Sequence, residues 1–145
     1  MFFHTHYAVS GRQGRVLVVD DEPSIRKLVN LSLTKAGYEV VEAQDGEQAI
    51  KVLNSDDNPL MVDTILCDIR MPKVNGIEAI AYFRAQYPTV PIVVMTGYPD
   101  VDLAVSLMRQ GVLDFLVKPV SKDDLLTVIT KSVDNHVVLN GQFTA

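Results

Sequence analysis

The sequence predicts an α/β fold, a doubly wound five-stranded parallel sheet with helices on both faces. Short apolar runs alternate strictly with segments of helical period along the chain. The strand runs are apolar at successive positions, which suits strands covered on both sides. The helical segments open and close on capping and turn residues. Short right-handed crossovers between parallel strands then wind helices onto both faces.

The elements follow in order. Residues 1–14 contain small and polar residues without a clear period and read as an N-terminal extension. "RVLVVD" (15–20) is the first strand. "EPSIRKLVNLSLTKAG" (22–37) is a helix with Ile25, Leu28, Val29, Ser32 and Ala36 on one face, Pro23 in its first turn and Gly37 at its C-terminal cap. "YEVVEA" (38–43) is a strand, and "DGEQAIKVLNS" (45–55) is a helix that opens on Asp45-Gly46. "NSDDNP" (54–59) reads as a loop. "VDTILCD" (62–68), "PIVVMT" (91–96) and "DFLV" (114–117) are strands, separated by helices over 76–87 and 100–111. "SKDDLLTVITKSVDNH" (121–136) is the last helix, with Ser121 as its cap and Asp124 three residues on. The domain is read as 15–135, and 136–145 as a C-terminal tail with no readable period.

Length and composition bound the function. The chain has 145 residues, 48% hydrophobic and 21% charged, which is globular composition. Net charge is −5, so no basic surface argues for direct nucleic-acid or anionic-lipid binding. Apolar runs fall far short of the ~20 residues a membrane helix needs. "MFFHTHYAVSGRQG" lacks the basic start and apolar core of a signal peptide. The single cysteine, Cys67, fits a reducing compartment, and a cytoplasmic location is expected.

In doubly wound sheets ligands bind beyond the C-terminal ends of the strands. Here those ends collect chemistry. Strand one delivers Asp20 and Asp21, strand three Asp68, strand four Thr96, and strand five Lys118 followed by Pro119. Carboxylates gathered at the end of a buried strand repel one another and lose hydration. A hard divalent cation reverses that cost, and Mg2+ takes oxygen ligands of this kind. No spacing of Glu, His or Cys suggests zinc or iron. A magnesium site beside a lysine and a threonine can hold a phosphoryl group, and a carboxylate there can be the nucleophile.

The stretches "VLVVDDEP", "VDTILCDIRMPKVNG", "PIVVMTGY" and "DFLVKP" resemble, in order and spacing, the receiver domain of two-component response regulators. The resemblance covers about residues 15–135 and implies the chemotaxis-regulator-like, flavodoxin-like receiver fold. It implies that Asp68 is the phosphoacceptor and Asp21 a direct Mg2+ ligand, with Asp20 reaching the metal mainly through water. The Arg70 carbonyl would complete the metal ligands from the protein. Lys118 would pair with the phosphoryl oxygens, with a cis bond to Pro119. Thr96 would be the switch hydroxyl and Phe115 the switch aromatic, while Gly97 would leave room for a phosphodonor. The implied partners are a sensor histidine kinase or a histidine phosphotransfer protein. Downstream, a protein partner, or a second copy in a phosphorylation-dependent homodimer, is expected on the face formed by residues 100–135. Arg70 and Tyr98 each lie two residues beyond a pocket residue, and stacked together they would cover the phosphoryl group; the alternative is that both point into solvent.

The chain departs from the commoner pattern in a few places. "NSDDNPLMV" lengthens the stretch before the third strand and reads as a tolerated insertion. The switch aromatic is a phenylalanine, with no hydroxyl to bond. Cys67 reads as a buried core residue, His4 and His6 as terminal residues without a metal, and His136 as a helix cap. Met71 and Pro72 read as shaping the turn after Asp68. A small-molecule phosphatase would need an acid where Arg70 stands, together with a cap domain. A nucleotide-binding module would need a glycine-rich loop where "DDEPS" stands. The remaining alternative is a receiver fragment of a larger regulator whose output domain is absent from this chain.

Overall fold

The computed structural model describes residues 13–70 and 76–144, with the backbone alone over 137–144. The expectations about His4, His6 and the Met71–Pro72 turn therefore lie outside the described residues. The chain alternates as β1 (Arg15–Val19), α1 (Pro23–Lys35), β2 (Glu39–Ala43), α2 (Gly46–Leu53), α3 (Asn58–Met61) and β3 (Val62–Cys67), followed by α4 (Gly76–Gln86), β4 (Ile92–Thr96), α5 (Val101–Arg109), β5 (Asp114–Val117) and α6 (Lys122–Thr144). All strand pairs are parallel, in the order β2-β1-β3-β4-β5.

Each central strand feeds two cores. Leu17 and Val19 of β1, Ile65 and Cys67 of β3, and Ile92 and Val94 of β4 face Ala49, Leu53, Ile80, Phe83 and Leu107 from α2, α4 and α5. Val16 and Val18, Leu66, and Val93 and Met95 face the other way, onto Val29 and Leu33 of α1 and Leu125, Ile129 and Val133 of α6. This two-residue alternation between two buried faces is why the strands read as continuous apolar runs. The helix boundaries are set locally. Asp45 Oδ1 accepts from the Gln48 amide at 2.8 Å, and Asp100 Oδ1 from Leu103 at 3.1 Å. Ser121 Oγ accepts from Asp124 at 3.1 Å. Gly37 follows α1 with φ +98°, a conformation costly for any residue with a Cβ.

Four local expectations are corrected. In α1 the buried stripe runs through Val29 and Leu33, while Leu28 is 62% exposed and Ser32 sits on the flank. Ile25, Val29 and Ala36 of the expected face do pack on the sheet, joined by Leu33 in place of Leu28 and Ser32. The stretch expected as a loop over 54–59 holds the start of α3. Asn58 Nδ2 donates to Val52 O at 2.8 Å, and Arg15 holds Asp57 and Asn58 at 2.7 and 2.9 Å. The last helix continues past residue 136 to Thr144. His136 is therefore no cap: it lies inside α6, buried, with Nδ1 2.9 Å from Asp63 Oδ1 at the start of β3.

Candidate functional site

The order β2-β1-β3 means that the chain leaves β1 in one direction and returns on its other side. That reversal opens a crevice above the C-terminal ends of β1 and β3. The parallel ladder runs one residue beyond each strand there: the Asp20 amide donates to Ala43 O at 3.1 Å, and the Asp68 amide to Val19 O at 2.9 Å. Backbone register thus places the two carboxylates side by side. The cis Lys118–Pro119 peptide follows β5, and the Lys118 amide donates to Thr96 O at 2.8 Å.

The Lys118 ammonium fills the centre. It stands 2.7 Å from Asp20 Oδ2, 3.0 Å from Asp68 Oδ2 and 3.3 Å from Glu22 Oε1. Asp20 is fully buried and Asp68 nearly so. Asp20 Oδ1 accepts from the Glu22 amide at 2.9 Å, and Asp68 Oδ1 from the Arg70 amide at 3.0 Å. Asp20 Oδ2 pairs with the ammonium by charge and receives no well-aligned hydrogen bond. Burial pushes the Asp20 carboxyl above its ordinary range, and the Asp68 charge adds to that; Lys118 and the Glu22 amide oppose it. For Lys118, burial works downward, but the bonds and charges of Asp20 and Asp68 outweigh it and hold the ammonium more firmly protonated than usual. Burial, followed by the charges of Asp68 and Asp20, pushes the Cys67 thiol far up, which makes it an inert core group.

One carboxylate oxygen from each of Asp20, Asp21, Glu22 and Asp68 lies within 4.8 Å of the others. Oxygen-only donors gathered this closely suit a hard divalent cation. Thr96 is buried at the same edge, and its Oγ1 accepts from the Tyr98 amide at 3.1 Å. The pairing of Val94 with Phe115 and of Thr96 with Val117 puts Phe115 on the sheet face of Thr96, one pleat back. Phe115 is partly buried against the α2–α4–α5 core. The Arg70 guanidinium lies over the Tyr98 ring, 4.6 Å from its centroid.

The structure thus gathers Asp20, Asp21, Asp68 and Lys118 into one cluster, with Thr96, Arg70 and Phe115 around it. Two further residues went unread in the sequence. Glu22 joins the carboxylates and Lys118; a glutamate just before a helix reads locally as a weak cap. Gly76 packs against the Asp68–Ile69 backbone, where an added Cβ would sit 2.3 Å from Asp68 O and 2.4 Å from Ile69 Cα. The glycine of "KVNG" was the available signal. At Gly97 a Cβ would meet only Lys118 carbons, at 3.9 and 4.0 Å, so glycine keeps that side of the pocket open.

Comparison with known proteins agrees with this geometry. Residues 16–130 match the response regulator receiver domain family. The chain is 35% identical to the transcriptional regulatory protein GlrR of Escherichia coli K12, over 87% of this chain and 28% of GlrR. It is 34% identical to the DNA-binding transcriptional regulator NtrC of Proteus hauseri, over 86% of this chain and 26% of NtrC. It therefore spans under a third of the length of these curated relatives. Among solved structures, a CheY-like receiver domain protein from Methanospirillum hungatei superposes with a TM-score of 0.78 at 26% identity, covering 85% of this chain and 95% of that one. NtrX from Brucella abortus superposes at 0.80 and 28% identity, over 88% of this chain and 29% of NtrX. Among the described residues no helix is long and apolar enough to cross a membrane. A five-stranded parallel sheet whose switch point gathers acids around one lysine, matched by this family over most of its length, places the chain among the receiver domains of response regulators.

Proposed function

We propose that Asp68 accepts a phosphoryl group from a histidine kinase or a histidine phosphotransfer protein in the cytoplasm, and that this modification switches a protein-binding surface. The observation that carries the reading is Lys118, whose ammonium lies 3.0 Å from Asp68 Oδ2 and 2.7 Å from Asp20 Oδ2 at the switch point. In the transfer an Asp68 oxygen bonds to phosphorus as the bond between phosphorus and the donor breaks. Lys118 would pair with the phosphoryl oxygens, and Thr96 would donate a hydrogen bond to one of them. Asp20, Asp21, Asp68 and the Arg70 carbonyl are the groups that would hold Mg2+. When bound, the cation supplies charge neutralisation for the phosphoryl group. The carboxylate cluster fits it, since its oxygens are hard donors gathered within 4.8 Å of one another.

Once Thr96 turned toward the phosphoryl group, Phe115, on the same sheet face, would fill the space behind it. The face that would read this out carries exposed Val101, Val105, Met108 and Val117, an apolar set on α5 and β5 within residues 100–135. A downstream protein, or a second copy in a phosphorylation-dependent homodimer, would cover it. A second reading has its own support: the chain spans 28% of GlrR, as a receiver segment of a longer regulator would. The acceptor chemistry is the same in both readings. Incubation with acetyl phosphate and Mg2+ should add one phosphoryl group to the intact mass, and Asp68→Asn should accept none. Undiminished labelling of that variant would overturn the assignment.

A further inference from the structure

Glu22 breaks a local rule without local compensation. It occupies the N-cap of α1, where Ser, Thr, Asp or Asn would satisfy an orphan amide, and its side chain makes no cap hydrogen bond. Its backbone is fixed at the pocket rim because its amide donates to Asp20 Oδ1 at 2.9 Å. From there the carboxylate reaches across the fold to Lys118 Nζ, 3.3 Å away. Departures from local preference tend to mark functional positions.

The ammonium does not need this third partner. Two inner carboxylates, Asp20 at 2.7 Å and Asp68 at 3.0 Å, already balance it. Those two are buried, whereas the Glu22 side chain is 57% exposed. Its charge therefore acts at the mouth of the pocket, on whatever enters. A phosphoryl donor is itself anionic. It must come close to Glu22 and then take over the lysine that Glu22 holds.

We propose that Glu22 is a positioning residue that competes with the incoming phosphoryl group for Lys118, and so slows phosphorylation by small anionic donors. The inference rests on the assignment of Asp68 as acceptor. An exposed charge acts through screened electrostatics, with a range of about 8–10 Å at moderate salt. The effect should therefore fade as ionic strength rises, which a purely structural role would not do.

The test is the rate of Asp68 phosphorylation by acetyl phosphate in wild type and in Glu22→Gln, both at saturating Mg2+. Glutamine keeps the length and removes the charge, and no cap bond is lost. Saturation matters because Glu22 also belongs to the carboxylate cluster. At low salt Glu22→Gln should react about 3- to 10-fold faster, and the ratio should approach one near ~1 M salt. Glu22→Ala, which removes the third carboxylate while Asp20 and Asp68 stay on the lysine, should show the same acceleration. Equal or slower rates at low salt, or a ratio indifferent to salt, would overturn the proposal while leaving the acceptor assignment intact. Absence of label at Asp68 in wild type and variants alike would overturn both.

Discussion

The guanidinium of Arg70 lies over the ring of Tyr98, 4.6 Å from its centroid, and joins the loop after β3 to the loop after β4. Both residues are anchored beneath the stack. The Arg70 amide donates to Asp68 Oδ1, and the Tyr98 amide to Thr96 Oγ1. The two side chains therefore stack on one another, and both remain exposed to solvent.

This stack should lengthen the life of the phosphorylated form. Hydrolysis needs a water in line with the aspartyl–phosphate bond, and a cation–aromatic pair rooted beside Asp68 and Thr96 would impede its entry. An exposed pair of this kind is worth about 0.5–1 kcal/mol, which corresponds to roughly a two- to fivefold change in rate. The double variant Arg70→Asn, Tyr98→Ala should dephosphorylate faster by about that factor, measured after donor removal at saturating Mg2+. Equal decay would show that the stack does not guard the bond.

The pocket should also cost stability in the absence of metal. Burial raises the Asp20 carboxyl above its ordinary range, so the folded chain holds that proton more tightly than the unfolded one. The contribution of this group therefore improves as pH falls into the window just above the ordinary carboxylate range, and worsens as pH climbs through the raised value. Asp20→Asn should flatten that slope and stabilise the metal-free protein near neutral pH. The effect should be on the order of 1 kcal/mol, or about 2–4 °C in melting temperature. Mg2+ at ~100 times its Kd should stabilise wild type by about 2.7 kcal/mol, and the variant less. Melting curves in EDTA and in Mg2+ across pH decide this. A lower metal-free melting temperature for Asp20→Asn would contradict it.

The fold and most of the pocket were legible because both follow from backbone rules. Buried parallel strands are apolar at every position, and their C-terminal ends are where a doubly wound sheet exposes chemistry. Asp20, Asp68 and Lys118 could therefore be placed together before any distance was known. The misreadings share a cause: they depend on partners distant in sequence. His136 resembled a cap because its partner Asp63 is 73 residues away. Leu28 reads as a buried position although it is exposed and Leu33 is buried, because the packing of α1 on the sheet and on α6 sets its rotation. The start of α3 at Asn58 is held by Arg15 of β1, 43 residues away. Glu22 looked local because its lysine lies 96 residues on.

Phe115 should couple phosphorylation to the outer face. It shares the sheet face of Thr96 and is held by packing, with no hydroxyl to bond. Phe115→Ala should still accept phosphate, at a stability cost of about 1–3 kcal/mol for a partly buried ring. It should lose phosphorylation-dependent association, read by light scattering or by binding to the partner before and after phosphorylation. Association with wild-type dependence on phosphate would show that the signal travels by another route.

The central claim is that Asp68, among the clustered acids, carries the phosphoryl group. Borohydride reduction of the protein after reaction with acetyl phosphate and Mg2+ converts the modified aspartate to homoserine, and peptide mass spectrometry locates it. The account predicts homoserine at position 68. Homoserine at position 20 or 21 would contradict it.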